Sequence, residues 1–118
     1  AAMVSRHAFL EEGVIVQAHS TIGPNATVGR DVNIGYNTVL SHDPTFEPGC
    51  LLAANVVVGA YTTLRQRVFV GASSTIVSKR GLTVGKGALI GAGAVVTKDV
   101  PAGVSVVGNP ARPFPGRS

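Results

Sequence analysis

The amino-acid sequence predicts an all-β fold, a parallel sheet coiled into a solenoid of six-residue repeats. Three observations support this prediction. An apolar residue returns at every sixth position over most of the 118 residues. The 15 glycines and 7 prolines are spread along the whole chain, which argues against long helices because both residues are unfavourable inside them. Hydrophobic residues make up 45% of the chain but aromatic residues only 5%, so the core must consist of small branched side chains.

The six-residue period defines one anchor position in each repeat. Thirteen consecutive anchors are all apolar, and a second series of smaller residues follows each anchor by four positions. A spacing of six matches neither the roughly 3.6-residue turn of an amphipathic helix nor the alternation of a flat strand. Each repeat is therefore predicted to be a short strand and a corner, with both series facing inward. The anchors are Val4, Leu10, Val16, Ile22, Val28, Ile34, Leu40, Phe46, Leu52, Val58, Leu64, Val70 and Ile76.

The corners are predicted from the residues between the strands. Glycine directly follows the anchor in several repeats, and we expect a sharp turn there, often with positive φ. One column of corner residues, His19, Asn37 and Asn55, is expected to form a ladder of side-chain hydrogen bonds. The corner glycines are Gly23, Gly29, Gly35, Gly59 and Gly71.

The period is interrupted once. Between Lys79 and Leu82 the phase slips by two residues, which predicts a small loop that bulges from one corner. The anchors then resume at Val84, Ile90, Val96 and Ala102. We therefore expect a single domain over residues 1–118, with repeats over about 4–102 and a short C-terminal tail at 103–118.

Length and composition exclude several classes of protein. A chain of 118 residues is long enough for one compact domain only. No apolar run approaches the 18 or so residues of a membrane span, and no signal peptide is visible at the start. Cys50 is the single cysteine and has no internal disulfide partner, so we expect a reducing, cytoplasmic location. Its inward position predicts a core residue.

The net charge of +4 and the pI near 9.9 do not indicate a nucleic-acid-binding protein. Lysine and arginine are scattered along the chain, and a dense basic face with interleaved aromatic residues is absent. A modest positive field favours an anionic small molecule as ligand. The sequence therefore predicts a small-molecule partner, with no nucleic acid and no membrane span.

His42 is the histidine in the most suggestive context. It follows the anchor Leu40 by two residues, at a corner, and Asp43 is its neighbour in sequence. A carboxylate beside an imidazole fixes its tautomer and raises its basicity, as a general base requires. Ser41 replaces the corner glycine, and the segment from Asp43 to Gly49 is the least regular part of the repeat, as expected of a functional site. The alternative without a function is that His42 is a solvent-exposed turn residue.

The chain resembles the hexapeptide-repeat acyltransferases, and within them the sugar and sialic-acid O- or N-acetyltransferases typified by NeuD-like and PglD-like proteins. The resemblance rests on the six-residue period, on Ser41-His42-Asp43, and on the C-terminal segments 90–101 and 107–112. It implies a left-handed parallel β-helix with three repeats per coil and five to six coils. It also implies a homotrimer with sites between subunits. The nucleotide-sugar-binding α/β domain with which such enzymes commonly begin is not expected in this chain.

The resemblance implies an acetyl-CoA-dependent acyltransferase that needs no metal. His42 is the expected base and Asp43 its orienting acid, with Glu47 as the alternative acid. The expected acceptor is a hydroxyl or amine of a sugar-like molecule, which attacks the thioester directly. A backbone N–H at Gly59 or Ala60 is the expected oxyanion donor. The expected acetyl-CoA-binding residues are Gly71, Ala72, Gly91 and Ala92 along the pantetheine arm, and Lys79, Arg80, Lys98 and Arg112 at the phosphates.

Two alternatives remain open from the sequence. One is a non-catalytic trimeric β-helix, a structural or assembly module that has lost its acceptor domain. The other, less favoured, is a γ-type carbonic anhydrase, which binds zinc through three histidines. Two of those ligands lie about five residues apart in that family, and His7, His19 and His42 contain no such pair.

Overall fold

The computed structural model describes residues 1–114, which form eighteen short strands and no helix. The predicted all-β class is confirmed. Residues 115–118, the end of the predicted tail, lie outside the described part. The strands are β1 (Met3–Val4), β2 (Phe9–Leu10), β3 (Ile15–Val16), β4 (Thr21–Ile22), β5 (Thr27–Val28), β6 (Asn33–Ile34), β7 (Val39–Leu40), β8 (Thr45–Phe46), β9 (Leu51–Leu52), β10 (Val57–Val58), β11 (Thr62–Leu64), β12 (Phe69–Val70), β13 (Thr75–Ile76), β14 (Leu82–Val84), β15 (Leu89–Ile90), β16 (Val95–Val96), β17 (Ser105–Val107) and β18 (Arg112–Pro113).

Successive strands belong to three different sheets, which we call faces A, B and C. Face A has the order β1-β4-β7-β10-β13-β16, face B the order β2-β5-β8-β11-β14, and face C the order β3-β6-β9-β12-β15-β17-β18. Each strand pairs in parallel with the strand one coil later, as Met3 does with Thr21 and Val39 with Val57. The chain is therefore a triangular prism of about six coils, the left-handed parallel β-helix that was predicted. We call its edges the A/B, B/C and C/A corners, after the faces that each one joins.

The anchor series fills the prism, as predicted. All anchors from Ile22 to Ile76 are buried. The polar members of the second series are buried too and bond to backbone carbonyls; Ser20 Oγ, for example, donates to the Gly35 oxygen at 2.7 Å. The first coil differs, because the described chain places no coil beneath it: Val4 is 44% and Leu10 37% exposed.

The glycines that follow the anchors have a different role from the predicted one. Positive φ is absent at these five positions. What glycine allows there is a close approach between coils. A Cβ at Gly23 would lie 2.0 Å from the carbonyl oxygen of Ser41, and a Cβ at Gly59 would lie 2.6 Å from the nitrogen of Ser78. Real Cβ atoms do not come so close to backbone atoms, so these two positions require glycine.

Positive φ occurs at the third residue after the anchor instead. His19, Asn37 and Asn55 all have φ between 55° and 62°. Asn, Asp and His tolerate this left-handed region better than most residues do. The predicted side-chain ladder is not formed, since the described hydrogen bonds include none between these three side chains. From Gly13 to Ser73, the third residue after each anchor has positive φ. We call these residues the turn column, because each one turns the chain into the next face.

The predicted two-residue insertion is present and is later compensated. Register shifts from eighteen to twenty residues where Thr62 pairs with Leu82, and the loop bulges at the A/B corner. A shortening follows, because Val84 pairs with Val100. Val100 is therefore buried, and Ala102, the predicted anchor, is exposed.

The coil continues beyond the predicted last anchor. β17 pairs in parallel with β15 through Leu89 with Ser105 and Ile90 with Val106. β18 then returns antiparallel to β17. The C-terminal segment is thus tied to the top of the prism, where the Ala111 N–H donates to the Val95 oxygen at 2.8 Å.

The three faces differ in the side chains that they present outward. Faces A and C carry large apolar side chains, and face B carries a column of threonines. None of the described residues belongs to a helix that is long and apolar enough to cross a bilayer. The exposed apolar residues at outward strand positions include Met3, Val39 and Val57 on face A and Ile15, Leu51, Phe69 and Leu89 on face C; face B begins with the exposed Phe9, and its threonines are Thr27, Thr45, Thr63 and Thr83.

Candidate active site

The A/B corner holds His42 between β7 and β8. Its backbone is tied to the coils on both sides: the Asp43 N–H donates to the Pro24 oxygen at 3.0 Å, and the His42 oxygen accepts from the Tyr61 N–H at 3.1 Å. Asp43 has φ 58°, the left-handed turn of its coil. The local backbone of the histidine is therefore set by the same turn that starts face B.

His42 and Asp43 are in direct contact. The His42 Nδ1 and the Asp43 Oδ2 lie 3.0 Å apart, and their side chains are 48% and 33% exposed. A carboxylate only accepts hydrogen bonds, so in the neutral imidazole Nδ1 carries the hydrogen and Nε2 keeps its lone pair. The arrangement leaves Nε2 as the nitrogen able to take a proton from a ligand.

Glu47, the alternative acid from the sequence, lies elsewhere. It follows β8 at the B/C corner, where its Oε2 accepts from the Arg65 Nη1 at 2.9 Å. Asp43 is the carboxylate that contacts His42.

The corner of the next coil contains Gly59 and Ala60. The Gly59 N–H donates to the Ile76 oxygen at 2.9 Å, so it is occupied by the sheet ladder. The Ala60 N–H makes no hydrogen bond within residues 1–114. Ser78 Oγ donates to the Ala60 oxygen at 2.5 Å, which holds the following peptide, between Ala60 and Tyr61, from the coil above. Of the two predicted oxyanion donors, only the Ala60 N–H lacks a hydrogen-bond partner in residues 1–114.

Three of the predicted phosphate-binding cations lie along the same A/B corner. Lys79 and Arg80 belong to the inserted loop, above Ala60, and Lys98 follows β16 one coil higher. Arg112 lies in β18 at the end of the prism, where it and Lys98 line a cavity of about 270 Å³. These side chains are exposed and so are accessible to an anionic ligand.

The small residues predicted along the pantetheine arm lie on a different edge. Gly71-Ala72 and Gly91-Ala92 are at the C/A corner, in adjacent coils. The Gly71 and Gly91 N–H groups bond to the Ile90 and Val106 oxygens in the next coil. Within one chain the width of face A separates these residues from His42.

Cys50 lies in the core, as predicted. Its thiol donates to the Arg65 oxygen at 3.0 Å, and burial raises its pKa from 9.0 to about 11. Because the thiolate is the reactive form, such a cysteine is inert at neutral pH. No group of three or more His, Cys, Asp or Glu side chains that could hold a metal ion occurs in the described part of the chain.

Tyr61 is a residue of this corner that the sequence did not single out. Its ring lies against the His42 imidazole, with the centroids 5.1 Å apart and the planes at 89°. The available signal was a bulky aromatic residue at a corner position that Asn, Asp or Gly fills in most other coils. That position was recognisable only once the turn column was known.

Two family models match the chain. One, bacterial transferase hexapeptide (six repeats), matches residues 7–42, and the other, hexapeptide repeat of succinyl-transferase, matches residues 66–98. The chain belongs to the hexapeptide-repeat family. Membership agrees with the resemblance found in the sequence and with the coiled fold.

Several acyl- and acetyltransferases are similar to this chain. An alanine-for-histidine mutant of GDP-perosamine N-acetyltransferase from Caulobacter crescentus, in complex with CoA and GDP-perosamine, superposes with TM-score 0.93 at 29% identity, over 96% of this chain and 53% of its own. The acetyltransferase domain of PglB from Neisseria gonorrhoeae, in complex with acetyl coenzyme A, gives TM-score 0.78 at 28% identity, over 96% and 54%. UDP-3-O-acylglucosamine N-acyltransferase of Caulobacter sp. (strain K31) is 38% identical over 86% of this chain and 32% of its own length. The chain thus spans about half of these solved chains and about a third of that curated relative.

Proposed function

We propose that this protein is an acetyl-CoA-dependent acyltransferase that moves an acetyl group to a hydroxyl or amine of a sugar-like acceptor. The observation on which the proposal depends is the His42 Nδ1 contact with Asp43 Oδ2, 3.0 Å long, at an exposed corner. The similar proteins with this fold are acyl- and acetyltransferases, and two of them bind CoA or acetyl-CoA and have 28–29% identity to this chain.

The proposed reaction is a direct transfer without a covalent enzyme intermediate. His42 Nε2 takes the proton from the acceptor O–H or N–H while the acceptor lone pair attacks the thioester carbonyl carbon. The tetrahedral intermediate then collapses, the C–S bond breaks, and the CoA thiolate receives the proton from His42. Asp43 stabilises the imidazolium that exists between these two proton transfers. A positioned general base of this kind contributes about 10²- to 10⁴-fold in rate.

The Ala60 N–H is the proposed donor to the oxyanion of the intermediate. It lies on the same corner as His42, one coil above, and coils of a parallel sheet are about 4.8 Å apart. It makes no hydrogen bond within the described residues, whereas the Gly59 N–H is already bonded. A free backbone N–H near the base is what transition-state stabilisation of an acyl transfer requires.

We propose that each site forms between two copies of a homotrimer. A single chain places His42 and the Ala72 and Ala92 corners on different edges, so one acetyl-CoA contacts both sets only when a neighbouring copy supplies one of them. The apolar side chains on faces A and C, such as Val57 and Phe69, support association because exposed apolar patches mark interaction surfaces. Lys79, Arg80, Lys98 and Arg112 would then receive the phosphates of CoA.

The first test replaces the base. His42→Ala should reduce acetyl transfer by at least about 10²-fold, and it should leave the melting temperature and the trimeric mass unchanged because the side chain is exposed. The assay follows CoA release from acetyl-CoA with a panel of amino sugars and nucleotide-linked amino sugars. His7→Ala is the matched control, since His7 lies at the same corner two coils lower and is exposed. Full activity in His42→Ala would refute the proposed base.

Binding separates the enzyme from the non-catalytic module. Calorimetry should show that acetyl-CoA binds to both the wild-type protein and His42→Ala, because residues other than His42 make the proposed contacts with acetyl-CoA. Absence of binding to the wild-type protein would refute the proposal. A sedimentation mass equal to one chain would refute the shared site.

A further inference from the structure

Tyr61 lies at the A/B corner in a conformation that neither burial nor backbone preference explains. It is in the turn column, one coil above Asp43, with φ 58°. A bulky aromatic residue in this left-handed region is an outlier. Six of the nine described non-glycine residues with positive φ are Asn, Asp or His. The residue is also 47% exposed, so hydrophobic burial offsets little of the strain.

Two contacts join Tyr61 to His42. The Tyr61 N–H donates to the His42 oxygen at 3.1 Å, which any residue except proline would do. The second contact belongs to the side chain: the phenol and imidazole rings meet edge to face at 5.1 Å and 89°. This is a favourable arrangement for two aromatic rings. This ring contact is the described side-chain interaction that offsets the strain of the Tyr61 backbone.

Asp43 and Tyr61 restrain the imidazole from different directions. Asp43 holds Nδ1 from within the same coil, and the Tyr61 ring contacts the imidazole edge to face from the coil above. One hydrogen bond to an exposed side chain leaves it free to pivot about that bond, and a second contact removes this freedom. Strain that persists at such a site is commonly part of the function of the site.

We infer that Tyr61 is a positioning residue that fixes the His42 imidazole with Nε2 directed at the acceptor. The inference rests on the proposed role of His42 as base. It goes further in assigning to a residue one coil away the task of keeping the base in one rotamer. Tyr61 acts through His42 and takes no proton itself.

The experiment compares Tyr61→Asn with Tyr61→Phe. Asparagine suits the left-handed backbone and removes the ring, so the melting temperature should stay unchanged or rise while kcat falls about 10- to 100-fold, the effect of a misplaced catalytic group. The KM for acetyl-CoA should change less than about threefold, since positioning of the base affects the chemical step. Tyr61→Phe keeps the ring and should retain kcat within about twofold of the wild-type value.

A readout without turnover separates this inference from the proposed function. The imidazole spectrum of isotope-labelled protein, with the His42 signals identified by their absence in His42→Ala, should show the three-bond couplings of a single χ1 rotamer in the wild-type protein and in Tyr61→Phe. In Tyr61→Asn these couplings should average between rotamers, because the Asp43 hydrogen bond alone leaves the ring free to pivot. If His42→Ala keeps full activity, the proposed function fails, and this spectrum still decides whether Tyr61 fixes the ring.

Arg67→Asn is the matched control. Arg67 has the same left-handed backbone, φ 56°, at the B/C corner, so the substitution relieves similar strain away from His42. It should leave kcat and the imidazole spectrum unchanged. The inference is overturned by wild-type kcat in Tyr61→Asn, by an unchanged imidazole spectrum in that variant, or by an equal loss of kcat in Arg67→Asn.

Discussion

Adjacent coils place similar apolar side chains inside the prism, whereas along the A/B corner no two coils present the same three residues. The inward column of face A reads Ile22, Leu40, Val58, Ile76 and Val96, all buried. The corner beside it reads Ser5-Arg6-His7, Gly23-Pro24-Asn25, Ser41-His42-Asp43 and Gly59-Ala60-Tyr61, and it then contains the inserted loop.

This difference reflects what each region must do. The interior must match in volume from coil to coil, because a close-packed core tolerates neither gaps nor extra atoms. A corner needs a turn, so apart from the glycines at close approaches between coils and the residues with positive φ, its side chains are free to vary. Chemistry is therefore placed at the corner, on a scaffold whose rigidity comes from the repeated interior.

The largest expected effect comes from disturbing the interior. Phe46 is among the largest fully buried side chains, and Phe46→Asp leaves both a cavity and an unpaired charge. The cost should be about 5 kcal/mol or more, comparable with the whole stability of a domain. Circular dichroism and thermal denaturation should show an unfolded chain.

Thr45→Asp is the matched control for this substitution. Thr45 precedes Phe46 in β8 but points outward from face B and is exposed, so the change should cost less than about 1 kcal/mol. Equal losses in the two variants would contradict the assignment of inward and outward positions.

The interior was predictable from sequence because its signal is repetition. Thirteen apolar anchors define the coil without any knowledge of contacts, and the phase slip near Lys79 marks the inserted loop. The later shortening was missed because Ala102 is itself apolar and fits the period. Only the pairing of Val84 with Val100 shows which residue is covered.

The corner was predictable only in part, because the six-residue period does not determine which corner side chains meet. His42 and Asp43 are neighbours in sequence, so their contact could be expected. The choice between Asp43 and Glu47 depended on which corner each occupies and on Arg65, eighteen residues beyond Glu47. The contact of Tyr61 with His42 depends on side-chain direction across two coils, which the period does not encode.

A smaller expected effect concerns Cys50, the one titratable group in the interior formed by residues 1–114. Burial raises the pKa of the Cys50 thiol from 9.0 to about 11. Between these values the native protein keeps the thiol proton and the unfolded chain releases it, so stability falls as pH rises through this window. From about pH 8 to about pH 10.5 the loss due to Cys50 should be on the order of 2 kcal/mol.

Cys50→Ala isolates this contribution. Other groups that titrate in the same range are common to both proteins, so the difference in unfolding free energy between the wild-type protein and Cys50→Ala should shrink as pH rises. Denaturant titrations at several pH values measure it. A constant difference across the range would mean that the thiol pKa is the same in the folded and unfolded states.

The smallest expected effect on stability comes from Asp43→Asn at the corner. Asparagine already occupies the equivalent left-handed position at Asn25, Asn37 and Asn55, so the melting temperature should change by less than about 2 °C. The amide keeps a hydrogen bond to Nδ1 but loses the charge that stabilises the imidazolium, and kcat should fall about 10- to 100-fold. Asp31→Asn, with φ 59° at the B/C corner, should alter neither quantity. The two substitutions are chemically identical and share a backbone conformation, but only Asp43 contacts the imidazole of His42. A loss of activity in Asp43→Asn alone therefore assigns the effect to that contact.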